Sequence, residues 1–263
     1  MLVLLPPSEA KSSGGDGPPV DLATLSWLAL TAVRERVART LATVCQGNAE
    51  RARKRLGLSL ALDDDRAANA ELWASPTMPA GARYSGILHD ALGYPTLPAA
   101  ARKRAADSVV VFSGLWGATR PTDLLPAYRI GIGTQLPRIG PLPALWRKPL
   151  HGALDEQIGD EGAIDLRSSG YSLMYRPSTA AAPKLIAVKI TGPDGKRAAA
   201  SYQSKVAKGR LVREMVRGAA PSLDGLLIAA KKIGVSADGD AAGVVVRLPA
   251  GWGLAGSPTA AVD

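Results

Sequence analysis

The sequence predicts an α/β protein: one compact domain with a mixed sheet and many helices. Two short apolar runs, Leu2 to Leu5 and Val109 to Phe112, have strand length and no polar alternation, as strands buried on both faces do. Helix-length segments with apolar residues at helical spacing lie between and after them. No repeat, charge block or clear linker divides the 263 residues.

In chain order, the first strand is stopped by Pro6-Pro7, and Ser8, Glu9 and Lys11 follow it directly. Residues 12 to 19 are rich in Gly, Ser and Pro and read as a loop. Asp21 reads as the N-cap of a helix running to about Gln46, with Leu25, Leu28, Val33, Val37, Leu41 and Val44 approximating its apolar face. Asn48 caps a short basic helix that Gly57 closes. Asp63-Asp64-Asp65 stands at the start of a further helix, where carboxylates face the positive end of the dipole; flanking acidic ligands at metal-loop spacing are lacking.

The stretch from Ala82 to Pro95 gathers Tyr84, Ser85, Gly86, His89 and Asp90. A helix over Pro98 to Asp107 leads into the strand at Val109. Beyond that strand the chain breaks sharply at Ser113-Gly114, Gly117 and Pro121, and Ser113, Arg120, Asp123, Tyr128 and Arg129 sit within the break. A helix over Pro143 to Ile158 and a short strand at Ala163 to Leu166 come next, with Ser169 and Tyr171 just after. Leu185 to Thr191 and Lys196 to Tyr202 flank Gly192-Pro193-Asp194-Gly195, the pattern of a hairpin. A helix from about Ser204 carries Leu211, Val212, Met215 and Val216 on one arc, and Arg210, Arg213 and Arg217 on the opposite one. Lys205 and Lys208 fall on its apolar side, so either the helix starts later or these ammonium groups face a polar cleft. Leu223 to Lys232 reads as a helix, Gly243 to Leu248 as a last strand, and the Gly/Ala/Pro-rich tail from Gly251 as disordered.

Charge narrows the partners. Lys and Arg number 32 against 23 Asp and Glu, a formal net charge of +9, which suits a polyanion. The single cysteine, Cys45, precludes an internal disulfide and fits a reducing compartment. One cysteine and two histidines argue against a zinc site and against direct iron binding. The N-terminus lacks a basic leader region, and no apolar run approaches membrane-spanning length, so a cytoplasmic protein with no membrane partner is expected. Walker A, Rossmann and HExxH patterns are missing; no metal or cofactor is called for.

Four post-strand corners remain: Ser8, Glu9 and Lys11; Ser113, Arg120, Asp123 and Arg129; Ser169 and Tyr171; Lys205 and Lys208. Brought together, they form a cationic site with one or two carboxylates, which suits phosphates. They also allow an enzyme of N-glycosidic cleavage or transfer on a nucleobase, nucleoside or nucleotide. Lys205, Asp123 and Ser113 are its candidate catalytic groups, a lysine with a lowered pKa serving as nucleophile or base.

Four segments in order, PPSEAK, YSGIL from Tyr84, SGLWGATRPTDLLPAYR from Ser113, and SKVAKGRLVR from Ser204, resemble the YaaA-like peroxide stress proteins. The central motif is long and specific; Ala10 stands where the family pattern has a glycine. The resemblance implies a single α/β domain of unusual topology, a basic cleft and a helix-hairpin-helix-like element. It further implies binding of duplex, distorted or junction DNA, and a role in limiting DNA damage during hydrogen peroxide stress by lowering free iron. Carried onto this chain, the motif positions are Ser8, Lys11, Tyr84, Gly86, Ser113, Gly114, Gly117, Arg120, Asp123, Tyr128, Arg129, Lys205, Gly209 and Arg213. The expected binding set for DNA or a nucleotide-like ligand is Ser8, Lys11, Tyr84, Arg120, Arg129, Ser169, Tyr171, Lys208 and Arg213, in a monomer.

Overall fold

A computed structural model describes residues 1–195 and 197–253. Its strands are β1 (Leu2–Leu5), β2 (Met78–Pro79), β3 (Val109–Ser113), β4 (Gly117–Thr119), β5 (Leu124–Leu125), β6 (Gln135–Leu136), β7 (Gly140–Pro141), β8 (Ala163–Asp165), β9 (Leu185–Thr191), β10 (Ser236–Asp240) and β11 (Gly243–Arg247). The helices are α1 (Thr31–Gln46), α2 (Ala49–Leu56), α3 (Asp63–Ala70), α4 (Ala80–Arg83), α5 (Ile87–Leu92), α6 (Ala99–Ser108), α7 (Leu142–Glu161), α8 (Ser169–Ser172), α9 (Ser201–Gly218) and α10 (Leu223–Lys232).

One seven-stranded mixed sheet organises the core, in the order β10-β11-β9-β8-β1-β3-β4. The pairs β11–β9, β9–β8, β8–β1 and β1–β3 are parallel, and the antiparallel strands β10 and β4 close the two edges. Every residue of β1 and β3 is buried, as their unbroken apolar runs require. Each such Leu or Val contributes about 1.5–3 kcal/mol through burial. The path from β1 goes to β3 on one side, then crosses back to β8 on the other. Crossing back in this way makes a topological switch point, and the crevice beyond the carboxyl ends of such strands is where α/β sheets bind ligands.

Asn48 caps α2 by accepting from the Arg51 N–H, and Gly57 closes it, as its sequence signals require. The acidic run opens α3, with Asp63 bonded to Arg53 and Arg66, and Asp65 facing Arg129.

Four expectations change. Asp21 accepts from the Ala23 N–H, but it caps only a turn. α1 begins at Thr31, because Ser26 is pinned to Asp123 and Trp27 adopts φ 58, outside the helical region. The break after Ser113 returns as β4, so the chain reverses instead of leaving the sheet. The turn at Gly192 to Gly195 forms, yet its return strand reduces to a single bridge, Thr191 with Ala198, and α9 starts at Ser201. The run Ala198-Ala199-Ala200 has little β preference, and its connection to the helix wins. Lys196 lies outside the described residues. At the tail, Trp252 is buried and its indole N–H donates to the Ile233 carbonyl at 2.9 Å, so order extends past Gly251; residues 254–263 lie outside the described residues.

No helix among the described residues is long and apolar enough to cross a membrane.

Candidate nucleotide and phosphate site

A cavity of about 530 Å³ opens at the carboxyl edge of the parallel strands. Three of the four expected corners meet in it. Pro6, Ser8 and Glu9 come from the end of β1, Ser168 and Tyr171 from the segment after β8, and Lys205 and Lys208 from the first turns of α9. Gly86 and His89 of the α5 entry form the remaining wall. Gly86 has φ +105, a backbone conformation that side-chain-bearing residues rarely adopt, and a Cβ there would lie 2.9 Å from the Ser8 hydroxyl.

The lysines differ. Lys208 reaches across to the Leu166 carbonyl at 2.7 Å and the Arg167 carbonyl at 3.3 Å, tying α9 to the end of β8. Burial lowers its pKa. Lys205 lines the cavity and makes no hydrogen bond or ion pair among the described residues. Its charge is available to a ligand.

Behind the cavity wall lies a polar layer. The Lys11 ammonium donates to the Ser8 and Glu9 carbonyls at 2.7 and 3.0 Å and sits 4.1 Å from the centre of the Tyr128 ring. Burial, followed by the Arg129 charge, lowers its pKa to about 7. Tyr84 stacks on His89 with ring centres 5.1 Å apart. The Tyr84 and Tyr128 hydroxyls lie 2.9 Å apart, and Tyr128 is 2.7 Å from the Ser113 hydroxyl. Ser113 also accepts the Leu115 and Trp116 N–H groups, which fixes the β3–β4 turn. Burial raises the pKa of both tyrosines, so this chain of hydroxyls stays protonated.

Arg129 stands at the rim, between Glu9 at 3.2 Å and Asp65 at 3.4 Å. Asn69 clamps its backbone through both the N–H and the carbonyl. The Glu9 carboxylate is thereby held at the cavity edge.

Other expected site residues go elsewhere. Because β4 runs back along β3, Arg120 emerges at the opposite end of that strand; it donates to the Asp107 carbonyl and stacks on Trp27. Asp123 accepts from the Arg120 N–H and from Ser26, so its carboxylate holds a loop and does not reach the cavity. Ser169 is exposed, one residue beyond the lining position Ser168. Arg213 donates to the Leu92 and Gly93 carbonyls and to Thr96, pinning the turn after α5. It lines a second cavity of about 610 Å³ together with Arg210, Glu214 and Arg217 of the same helix.

Sequence reasoning missed Ser201 and Ser204 as lining residues: it placed Ser201 in the return strand of the hairpin and began the helix only at about Ser204. His89, which was not in the expected binding set, also forms part of the wall. Burial lowers the His89 pKa to about 4, and its Nε2 lies 3.2 Å from the Pro6 carbonyl, to which the neutral ring donates. An unfolded chain takes up that proton near pH 6.5, so stability is intact above that pH and falls as the pH drops toward 4. The expected loss is about 3 kcal/mol by pH 4. Urea unfolding at stepped pH should show this decline, and His89→Gln should flatten it.

A family model described as Peroxide stress protein YaaA matches residues 1–232. This chain belongs to the YaaA peroxide stress family. A UPF0246 protein of Streptomyces coelicolor is 44% identical over 222 residues, which are 84% of this chain and 85% of that protein. UPF0246 proteins of Corynebacterium efficiens and Corynebacterium glutamicum are 39% and 38% identical, each match covering 81% of this chain and 84% of the relative. The YaaA match spans β1, the β3–β4 turn and the start of α9, so it includes every wall of the cavity.

Proposed function

We propose that this YaaA-family chain binds DNA during peroxide stress, gripping duplex or distorted forms along α9. The observation that carries this reading is that one helix lines both cavities with cations. Lys205 and Lys208 face the first cavity; Arg210, Arg213 and Arg217 face the second. A phosphodiester backbone crossing α9 from one cavity to the other would meet positive charge at both. The pair α5 and α6, joined through Gly93 and pinned by Arg213, is the candidate helix-hairpin-helix-like element. Membership of a peroxide stress family agrees with a role in protecting DNA.

Binding of a 20-base-pair duplex should weaken steeply with salt, because each phosphate contact releases counterions. Lys205→Ala should reduce the log–log salt slope by about 0.9, the share of one contact. Arg210→Ala combined with Arg217→Ala should reduce it further. A slope unchanged by all three substitutions would move the DNA surface away from α9.

A further inference from the structure

We infer that the first cavity is a pocket for a single nucleoside phosphate, with the phosphate seated at the start of α9 and the base against Pro6, His89 and Tyr171. This deepens the nucleic-acid reading of the same site by naming the unit it takes.

The two ends of the cavity differ chemically. At one end stand the Ser201 and Ser204 side chains and the unpaired Lys205. They surround the N-terminus of an 18-residue helix whose N-cap, Ala200, offers no side-chain acceptor. The Ser204 N–H is taken by the Ala200 carbonyl, whereas the N–H groups before it in the helix have no intrahelical acceptor. Free N–H groups, a helix dipole and a point charge together suit a phosphate.

Tyr171 gives the second, independent sign of a ligand. Its side chain is 92% buried, being 8% exposed, and lines the cavity. The hydroxyl makes no hydrogen bond to the described residues and is not fully enclosed, so it is open to a ligand. Burial raises its pKa, so the group remains a donor.

Glu9 sets the orientation. Its carboxylate lines the cavity and is held by Arg129 at 3.2 Å. A phosphate beside it would be repelled, which leaves the α9 end as the anion's place. A sugar hydroxyl or a base amine can instead donate to Glu9. The volume of about 530 Å³ accommodates one nucleotide and is far too small for a duplex.

The same chemistry is offered by a free mononucleotide and by an unpaired nucleotide turned out of a strand. Calorimetric titration with adenosine 5′-monophosphate, guanosine 5′-monophosphate, adenosine and inorganic phosphate tests the pocket. At least one monophosphate should bind at least tenfold more tightly than adenosine or phosphate alone. Lys205→Ala should weaken the monophosphate at least tenfold and leave adenosine unchanged. Tyr171→Phe, which removes an unpartnered hydroxyl and should fold normally, should weaken it about threefold or more. A duplex carrying one unpaired nucleotide that displaces the monophosphate would identify the turned-out unit as the source. A duplex that binds without displacing it would identify a free nucleotide. Absence of monophosphate binding at millimolar concentration, or binding indifferent to both substitutions, would overturn the inference. Duplex binding that survives in that case would leave the DNA reading standing; monophosphate binding without duplex binding would do the reverse.

Discussion

Arg83→Met is expected to destabilise the protein by about 3–5 kcal/mol, as breaking buried charged hydrogen bonds does. Arg83 is fully buried. Its guanidinium donates to the carbonyls of Leu125 at 3.0 Å, Ser12 at 2.5 Å, Gly14 at 2.9 Å and Pro76 at 3.1 Å. These carbonyls belong to three chain segments, one of them the β5 strand that pairs with β2, and the arginine ties the 12–14 loop and Pro76 to it. Methionine preserves much of the volume and removes every donor. The separation of this effect from lost packing is therefore clean. For a chain of this size, the loss corresponds to a fall in Tm of roughly 10 °C. Arg83→Lys should recover only part of it, because one ammonium cannot span the fork. A change in Tm below about 2 °C would show that water replaces the guanidinium without cost.

Gly209→Ala is expected to destabilise, against helix propensity. In an open helix this change favours the folded state by about 1 kcal/mol. Here a Cβ would lie 2.2 Å from the Leu88 carbonyl oxygen, 2.7 Å from the Ala91 side chain and 2.9 Å from the Leu92 nitrogen. Two of the three atoms are α5 backbone, which cannot rotate aside. α5 must shift off α9, at an overpacking cost of about 3 kcal/mol or more. The net loss should be about 2 kcal/mol, visible as a lower urea midpoint. Gly86 and His89 belong to the α5 entry, so the same shift should also loosen the cavity wall and weaken ligand binding. A stabilised variant would contradict the close packing of α5 on α9.

The sequence made elements with strong local signals legible. β1 and β3 showed as apolar runs, the start of α2 as an asparagine cap, and α10 as a helix over Leu223 to Lys232. The convergence of Ser8, Tyr171, Lys205 and Lys208 followed from placing polar groups at strand ends. What escaped was direction. β4 is three small or weakly apolar residues, Gly117 to Thr119, and leaves no alternation to read. Missing it sends Arg120 and Asp123 to the wrong end of the sheet, although both stand in the same motif as Ser113. β10 escaped for a similar reason, since its SADGD sequence reads as a turn and forms a strand only by pairing with β11. The start of α9 was misplaced because a good hairpin turn implied a return strand, and tertiary context shortened that strand to one bridge.

The central claim is that α9, and not another basic surface, meets the nucleic acid. A rival surface exists on α2, where Arg51, Lys54 and Arg55 line a shallow depression with Gln135. Hydrogen exchange with and without a saturating 20-base-pair duplex separates the two. The account predicts slowed exchange over residues 201–218 and 86–93, with the α2 segment 49–56 unchanged. Slowed exchange confined to 49–56, with α9 and α5 unaffected, would contradict it.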